Sequence, residues 1–193
     1  MKGAFMKKKL GFCVCCLLAI PFAALGQDKA PASAPANPIS VSEKGLYRFV
    51  SGAVVGAAQK MPEENYSFKP TPEVRTFGQL VGHVADAQYM FCSQATGDTV
   101  APKNIEKTKT SKADLVAALK EAVAYCGKSL DGMTDAKGSE MIKMFGFDLA
   151  RLSVLSLNTA HADEHYGNMV TYMRLKGIVP PTSENAQAPP AKK

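Results

Sequence analysis

The chain lacks the patterns that predict a sheet, a membrane span or a repeat. Its 193 residues contain no alternating run of β-branched side chains long enough to predict a β-sheet, and no internal repeat. The apolar run at residues 10–22 is too short for a membrane-spanning helix, which requires about 20 apolar residues. These absences exclude sheet-based fold classes and predict an all-α protein.

The net positive charge is also small once residues 1–26 are left out. The whole chain has a formal net charge of +6, from 23 basic and 17 acidic residues. Four of the basic residues and none of the acidic ones lie in residues 1–26, so the remainder carries 19 minus 17, or +2. It contains no basic stripe with interleaved aromatic residues, which is typical of nucleic-acid-binding surfaces. The composition therefore predicts no nucleic-acid partner.

The first 26 residues have the three-part pattern of a secretory signal peptide. Four lysines precede the apolar run at residues 10–22, and small residues at 24–26 lead to a predicted cleavage site before Gln27. A membrane anchor is the alternative, but the apolar run is too short, so no stable membrane span is expected after signal removal. No cysteine follows the cleavage site, so a lipoprotein signal is not predicted. We therefore expect a periplasmic or secreted protein.

Two low-complexity segments flank one predicted domain. Residues 27–41 form a Pro/Ala-rich linker and residues 182–193 a similar tail, and both compositions are typical of disordered chain. The region between them, residues 42–181, is long enough for a single domain with one core.

Four segments with helical spacing of apolar residues fill this domain and predict a four-helix bundle. The first carries Leu46 and Phe49 in its apolar stripe, the second begins with a capping box at Thr76, and the third begins with Ser111 as its N-cap. The fourth ends before Gly177. The predicted helices cover residues 42–61, 76–97, 111–132 and 147–176, with a mixed loop or short helix at residues 133–146.

The chain contains only three histidines, and their spacing predicts a metal site. His161 and His165 lie four residues apart, so they project from one face of the fourth helix, and His83 lies on the second helix. If the bundle places His83 opposite the pair, three imidazoles can bind one divalent transition metal such as zinc, nickel or iron. Three protein ligands leave a coordination position open for water or substrate. The alternative is three ordinary core or surface imidazoles.

The residues around the histidine pair supply further candidates. Glu164 completes an H-x-x-E-H pattern that also occurs in inverted zinc peptidases, but such an enzyme needs another ligand downstream, and only Glu184 lies there. Glu164 is therefore a weak candidate for a general base, and a solvated helix residue is the alternative. Asn158 and Tyr172 lie on the same helix and are candidates to line a pocket; a buried polar side chain with a local partner is the alternative for each.

The sequence from about Ser42 to Pro181 resembles the DinB-like family of four-helix bundles. The residues that carry the resemblance are Thr76 and His83, the run His161-Ala-Asp-Glu-His165-Tyr166-Gly167-Asn168, and residues 172–181. The resemblance implies a divalent metal on His83, His161 and His165. Family members often have Arg-Gly-Gln where this chain has Tyr166-Gly167-Asn168, which adds Asn168 to the candidate residues around the metal.

The two cysteines outside the signal segment predict a disulfide. Cys92 and Cys126 each lie near the end of a predicted helix, and in a simple up-down hairpin they would be about 15–20 Å apart. The resemblance implies an up-down-down-up order, in which helices two and three run parallel and the cysteines meet. The 14 residues from Gly97 to Thr110 can span the required crossover. We therefore predict a Cys92–Cys126 disulfide; two free buried thiols are the alternative.

The resemblance implies a metal-dependent hydrolase or transferase that acts on a small-molecule substrate. Some family members resemble thiol-dependent S-transferases and isomerases, but the predicted export argues against a thiol cofactor, because small thiols are mainly cytosolic. A homodimer is left open. The alternative from another class is a non-catalytic binding or stress-response bundle whose metal is structural or absent.

Overall fold

The computed structural model describes residues 36–184 as a helical bundle, which confirms the predicted fold class. The predicted signal peptide, most of the linker and the tail beyond Glu184 lie outside the described residues. Four long helices form the bundle, five shorter elements connect them, and one more follows the last helix. The long helices are α1 (Pro38–Lys60), α2 (Phe77–Thr96), α4 (Lys112–Asp131) and α6 (Arg151–Leu175). The connecting elements are a 3₁₀ turn (Glu63–Asn65), α3 (Ile105–Thr108), α5 (Asp135–Gly138), β1 (Met141–Met144) and β2 (Phe147–Ala150), and a second 3₁₀ turn (Pro181–Ser183) follows α6.

Contacts at the helix ends show an up-down-down-up order. Helices α2 and α4 are parallel, because Gly78 lies against Leu115 where both begin and Cys92 is bonded to Cys126 near where both end. Helix α1 runs antiparallel to α4, since Lys44 near the start of α1 forms an ion pair with Asp131, the last residue of α4. Helices α1 and α6 pair in parallel, and α6 is antiparallel to α2. The crossover between the two parallel helices contains α3.

The structure contains the predicted disulfide. The Cα atoms of Cys92 and Cys126 are 5.3 Å apart, and both residues are fully buried. They lie in a core cluster at the end of the bundle that also contains Tyr47, Phe91 and Leu155. A second cluster, built around Val54, Leu80 and Leu119, fills the other end.

Local capping signals determine where two of the long helices begin. The Thr76 hydroxyl accepts from the backbone N–H of Gln79, whose side chain accepts in return from the N–H of Thr76. Ser111 caps α4 in the same way, by accepting from the N–H of Asp114. Both caps satisfy backbone donors that the first helical turn leaves without partners.

Helix α1 begins earlier than its sequence predicts. It starts at Pro38 rather than Ser42, because the Asp135 carboxylate accepts from the backbone N–H groups of Ile39 and Ser40 at 3.2 and 2.7 Å. This cap comes from a residue almost 100 positions away. Two residues of the predicted α1 stripe, Leu46 and Phe49, are exposed, so the buried face is rotated from the predicted one.

The segment before α6 differs most from the prediction. Strands β1 and β2 form an antiparallel hairpin in which Met144 pairs with Phe147, where a loop or the start of a helix was predicted. The fourth long helix consequently begins at Arg151 rather than Phe147. The hairpin is two short strands without a longer sheet, so it leaves the all-α class unchanged. Among residues 36–184, no helix is both long and apolar enough to cross a membrane.

Candidate metal centre

The three histidines meet between α2 and α6, as the family resemblance implies. The Nε2 atom of His161 lies 3.2 Å from Nε2 of His83 and 3.1 Å from Nε2 of His165. One ligand atom from each ring falls within a 4.8 Å cluster. His165 is buried, and the other two rings are half-buried. The antiparallel packing of α2 and α6 therefore brings His83 on α2 next to the pair of His161 and His165 on α6.

The spacing of the nitrogens fits a common metal ion. Two nitrogens that each lie about 2.0–2.1 Å from a tetrahedral zinc are roughly 3.3–3.4 Å apart. The two distances to His161 are 3.2 and 3.1 Å, slightly shorter than this value. The Nδ1 atom of His161 is buried and has no hydrogen-bond partner in the described part of the chain. The three residues could thus hold one divalent ion.

A carboxylate behind His83 determines which of its nitrogens can bind metal. Oε2 of Glu106 lies 3.2 Å from Nδ1 of His83. An ionised carboxylate only accepts hydrogen bonds, so Nδ1 carries the proton and the neutral ring keeps its lone pair on Nε2, facing the other histidines. The other oxygen of Glu106 accepts from Nε of Arg75 at 2.8 Å. Glu106 is therefore held on both sides, and it orients His83.

Two features of α2 place Glu106 at this position. Gly82 faces the backbone of the crossover so closely that a Cβ atom would lie 2.6 Å from Cα of Glu106. The Asp86 carboxylate accepts from the backbone N–H groups of Ile105 and Glu106 at 2.9 and 3.0 Å, and so caps α3. The absence of a side chain at Gly82 and the cap from Asp86 together hold the crossover against the helix that carries His83.

Asn168 is the outer neighbour of His165. Its amide Nδ2 lies 3.3 Å from Nδ1 of His165, and a donor in this place would leave the ring proton on Nε2. A half-turn of the amide exchanges its nitrogen and oxygen, and Nδ1–H then donates to the oxygen. The lone pair of His165 is then on Nε2, toward His83 and His161.

Burial keeps the histidine pair in the neutral form that binds metal. Desolvation, together with repulsion from His165, His83 and Arg75, lowers the pKa of His161 to about 4. Desolvation and repulsion from His83 also lower the pKa of His165. Near neutral pH both rings are therefore unprotonated, and their lone pairs are available.

The remaining candidates do not line the cavity beside the histidines. Asn158 is fully buried, and its Nδ2 donates to Oε1 of Gln88 at 2.9 Å and lies 3.3 Å from Sγ of Cys126. Its contacts are thus with the disulfide rather than with a pocket. The Tyr172 hydroxyl donates to the carbonyl of Arg75 at 2.9 Å, so it supports the segment that holds Glu106. Glu164 is exposed on α6 and does not line the cavity that His83 and His161 line.

A cavity of about 630 Å³ opens beside the histidines. His83 and His161 line it, whereas His165 does not. Its other walls come from the outer face of α2, the crossover and the tip of the hairpin. They are mostly apolar, with the principal side chains from Ala87, Tyr89, Met90, Phe91, Val100 and Phe145. A metal ion on the three histidines would therefore adjoin a pocket large enough for a small molecule.

Sequence reasoning missed Glu106, Asp86 and the contribution of Phe145. Glu106 and Phe145 lie in connecting segments, where periodicity carries no signal. Asp86 follows His83 by three residues on α2, so it is on a neighbouring position of the same face. That spacing places Asp86 near His83, although its carboxylate binds the backbone of the crossover and Glu106 is the one that contacts the ring.

Comparisons with known proteins agree with this architecture. A family model of the DinB superfamily matches residues 47–169. No curated protein matches the chain. Among solved structures, the chain is similar to a DinB-like protein from Bacillus cereus ATCC 10987, with 17% identity, a TM-score of 0.66, and coverage of 73% of this chain and 95% of that one.

Two further solved structures have the same fold. A DinB-like protein from Bacillus subtilis is 22% identical, with a TM-score of 0.58 and coverage of 70% of this chain and 92% of that one. A conserved protein from Enterococcus faecalis is 16% identical, with a TM-score of 0.59 and coverage of 70% and 95%. At these identities the similarity concerns the fold alone, whereas the family match spans more than half of the sequence. The chain therefore belongs to the DinB superfamily.

Proposed function

We propose that this protein is an exported metalloprotein that holds a divalent transition metal on His83, His161 and His165 and acts as a hydrolase or transferase on a small molecule. The observation that carries the proposal is the convergence of three Nε2 atoms, two of whose rings have an outer partner that orients them. Zinc, nickel and iron all accept this set of neutral imidazoles.

The surrounding residues suit an open rather than a closed site. A bound ion would supply a Lewis acid that activates a water or a thiol. His83 and His161 line the pocket, so a ligand in the pocket would lie beside a metal ion that these two residues hold. The apolar wall limits the access of water to this side, and Glu106 and Asn168 hold two of the rings in orientation from outside.

The first experiment measures metal content and affinity. The full chain and its His83→Ala, His161→Ala and His165→Ala variants are purified, and metal is quantified by inductively coupled plasma mass spectrometry and by zinc titration. Each variant should lose at least tenfold in zinc affinity, while Asp163→Asn, an exposed change on the same helix, should retain it. Equal metal content in all five proteins would refute the metal site.

A chelator titration distinguishes an open site from a structural one. Helicity and melting are followed by circular dichroism while the metal is removed. Retention of the helical fold after metal loss supports a functional site, because the bundle has its own core. Unfolding that coincides with metal loss would instead indicate a structural metal and a non-catalytic protein.

Export is part of the proposal and has its own test. A buried disulfide is typical of proteins in oxidising compartments, which agrees with a signal peptide at residues 1–26. N-terminal sequencing of the exported protein should find a start at or close to Gln27. Recovery of the protein with Met1 intact in the membrane fraction would contradict it.

A further inference from the structure

The tip of the β-hairpin has an unusual residue in a demanding backbone position. Met144 pairs with Phe147, so Phe145 and Gly146 form a two-residue loop, and both have positive φ, 52° and 84°. Two such residues make a type I′ turn, whose first position favours Asn, Asp or Gly. A bulky side chain is strained in this left-handed conformation. The conformation of the turn therefore does not explain a phenylalanine at position 145.

Packing of the core does not account for Phe145 either. Its side chain is 62% exposed, whereas Met144 beside it is buried and anchors the hairpin. Its ring instead lies edge-on to Phe91, with centroids 6.0 Å apart. Phe91 in turn lies 5.6 Å from the ring of His161. A row of aromatic rings thus leads from the hairpin tip to the candidate metal centre.

A second exposed phenylalanine on the hairpin provides an internal comparison. Phe147 is 68% exposed and lies two residues away, but it does not line the cavity. Phe145 does line it, together with Phe91 and His161. The two residues have the same chemistry and similar exposure, and they differ in their relation to the cavity.

Lys103 is a basic side chain of the cavity lining that has no carboxylate partner among residues 36–184. Asp86 is the carboxylate of the same lining. Both oxygens of Asp86 already accept backbone N–H groups of α3. The Lys103 amine lies over the ring of Tyr89, 5.2 Å from its centroid, and is exposed. A ligand with a negative group can therefore be paired by Lys103 while its apolar part contacts the aromatic rings.

We propose that Phe145 is a specificity-determining residue, and that with Phe91 it forms an aromatic wall that binds the apolar body of a small aromatic anion. The place of this ligand beside a metal rests on the function proposed above. The wall itself needs no metal, because it is built from the hairpin and α2 alone. The two proposals can therefore fail separately.

The first test uses a fluorescent aromatic sulfonate, 8-anilinonaphthalene-1-sulfonate, with the full chain in the presence of a chelator. Phe145→Asn should bind it about fivefold to tenfold more weakly than the wild type, the loss expected for one aromatic contact. Phe147→Asn is the matched control and should bind as the wild type does. Equal binding by wild type and Phe145→Asn, or an equal loss in both variants, would overturn the proposal.

The melting temperature shows whether Phe145→Asn binds the sulfonate more weakly only because its hairpin is distorted. Asparagine suits the first position of a type I′ turn, so Phe145→Asn should melt at the same temperature as the wild type or higher. Weaker binding by a protein of undiminished stability supports a direct contact. Weaker binding together with a lower melting temperature would count against it, because distortion of the hairpin would then explain the result.

The charge of the ligand is tested with Lys103→Gln. This variant should bind the sulfonate more weakly by a factor of about two to five, and the difference from wild type should shrink as salt is raised. An unchanged affinity at low salt would overturn the assignment of a negative group to the ligand.

A pair of hydroxamic acids separates the wall from the metal. Benzohydroxamate and acetohydroxamate carry the same metal-binding group, and they are titrated into zinc-loaded protein by calorimetry. The wild type and Phe147→Asn should prefer benzohydroxamate about tenfold, and Phe145→Asn should lose most of this preference. If neither compound binds while the sulfonate result holds, the metal proposal is wrong and the wall stands. An undiminished preference in Phe145→Asn would overturn the wall.

Discussion

Helices α2 and α6 enclose two polar layers that have different characters. The histidine layer consists of His83, His161 and His165, and it borders the cavity. The amide layer consists of Gln88 and Asn158, one to two turns away on the same helices, and both side chains are 0% exposed. Polar residues interrupt the same apolar faces in both layers, yet only one of the layers opens toward solvent.

The surroundings of each layer explain the difference. In the amide layer, Oε1 of Gln88 accepts from Asn158 and from the hydroxyl of Tyr47, both at 2.9 Å, and the disulfide lies against Asn158. Burial raises the pKa of the Tyr47 hydroxyl, so it remains a donor. In the histidine layer the polar atoms converge on one another instead. The two amides share one hydrogen bond, and Nε2 of Gln88 and Oδ1 of Asn158 have no partner among the described residues. The three imidazoles instead present their nitrogens to one point, where they could hold a metal ion.

The largest expected effect comes from the disulfide beside the amide layer. The Cys92→Ala/Cys126→Ala variant should lose roughly 3–4 kcal/mol of unfolding free energy, because the bridge closes a loop with a sequence separation of 34 residues. Urea denaturation of the metal-free protein measures this, and zinc affinity should stay the same. Two alkylatable thiols in the native exported protein would show that the bridge does not form.

The next effect is that of the amide layer itself. Asn158→Ala should lower the unfolding free energy by about 2–3 kcal/mol, since it leaves a cavity and removes a donor from buried Gln88. Urea denaturation measures the loss, and zinc affinity should not change. The matched change one turn away, His161→Ala, should do the opposite: it should abolish tight zinc binding and cost the metal-free protein less than Asn158→Ala. A strong loss of zinc affinity in Asn158→Ala would contradict this division of roles.

A smaller effect should follow from removal of the outer partner of His83. Glu106→Ala should weaken zinc binding by about 10- to 100-fold, because the imidazole loses its orienting carboxylate. Glu106→Gln should recover part of the loss, since its amide oxygen can still accept from Nδ1–H. Glu164→Ala is the control, an exposed carboxylate on α6. Calorimetric titration with zinc decides the matter, and equal affinities for Glu106→Ala and Glu164→Ala would exclude the role of Glu106.

The last expected effect is a dependence of stability on pH. The pKa of His161 is lowered from 6.5 to about 4 by burial and by the neighbouring histidines. Between these values the unfolded chain binds a proton that the folded, metal-free chain does not bind. The contribution of His161 to the free energy of unfolding is therefore fully present above pH 6.5 and is lost as the pH decreases toward 4.

Comparison with His161→Ala isolates this contribution from that of the carboxylates. Urea denaturation at several pH values, with chelator present, should give a shallower decline between pH 6.5 and 4 for the variant than for the wild type. Parallel curves would show that His161 titrates normally in the folded protein.

Much of the bundle follows from local sequence. The capping box at Thr76 and the cap at Ser111 involve residues three positions apart, and the structure contains both. The spacing of His161 and His165 depends only on the helical repeat, so their common face was predictable. Family resemblance added what local pattern could not, namely the helix order and the partnership with His83.

Other features depend on which elements meet, and no local pattern reveals them. Asn158 lies one turn before His161 on the same face of α6, so the sequence pattern makes it a candidate to line the pocket. The approach of Cys126 on α4 instead places it in the amide layer. Leu46 and Phe49 fit an apolar stripe, yet the positions of the neighbouring helices leave them exposed.

The sequence by itself determined the long helices, several of their ends and the common face of His161 and His165, because each of these is decided within a few residues along the chain. The tertiary structure alone decided that Glu106 stands behind His83 and that Phe145 reaches the cavity. Both lie in connecting segments, whose course is set by distant contacts such as the Asp86 cap and the close approach at Gly82. Contacts between residues far apart in sequence arise only when the helices have packed.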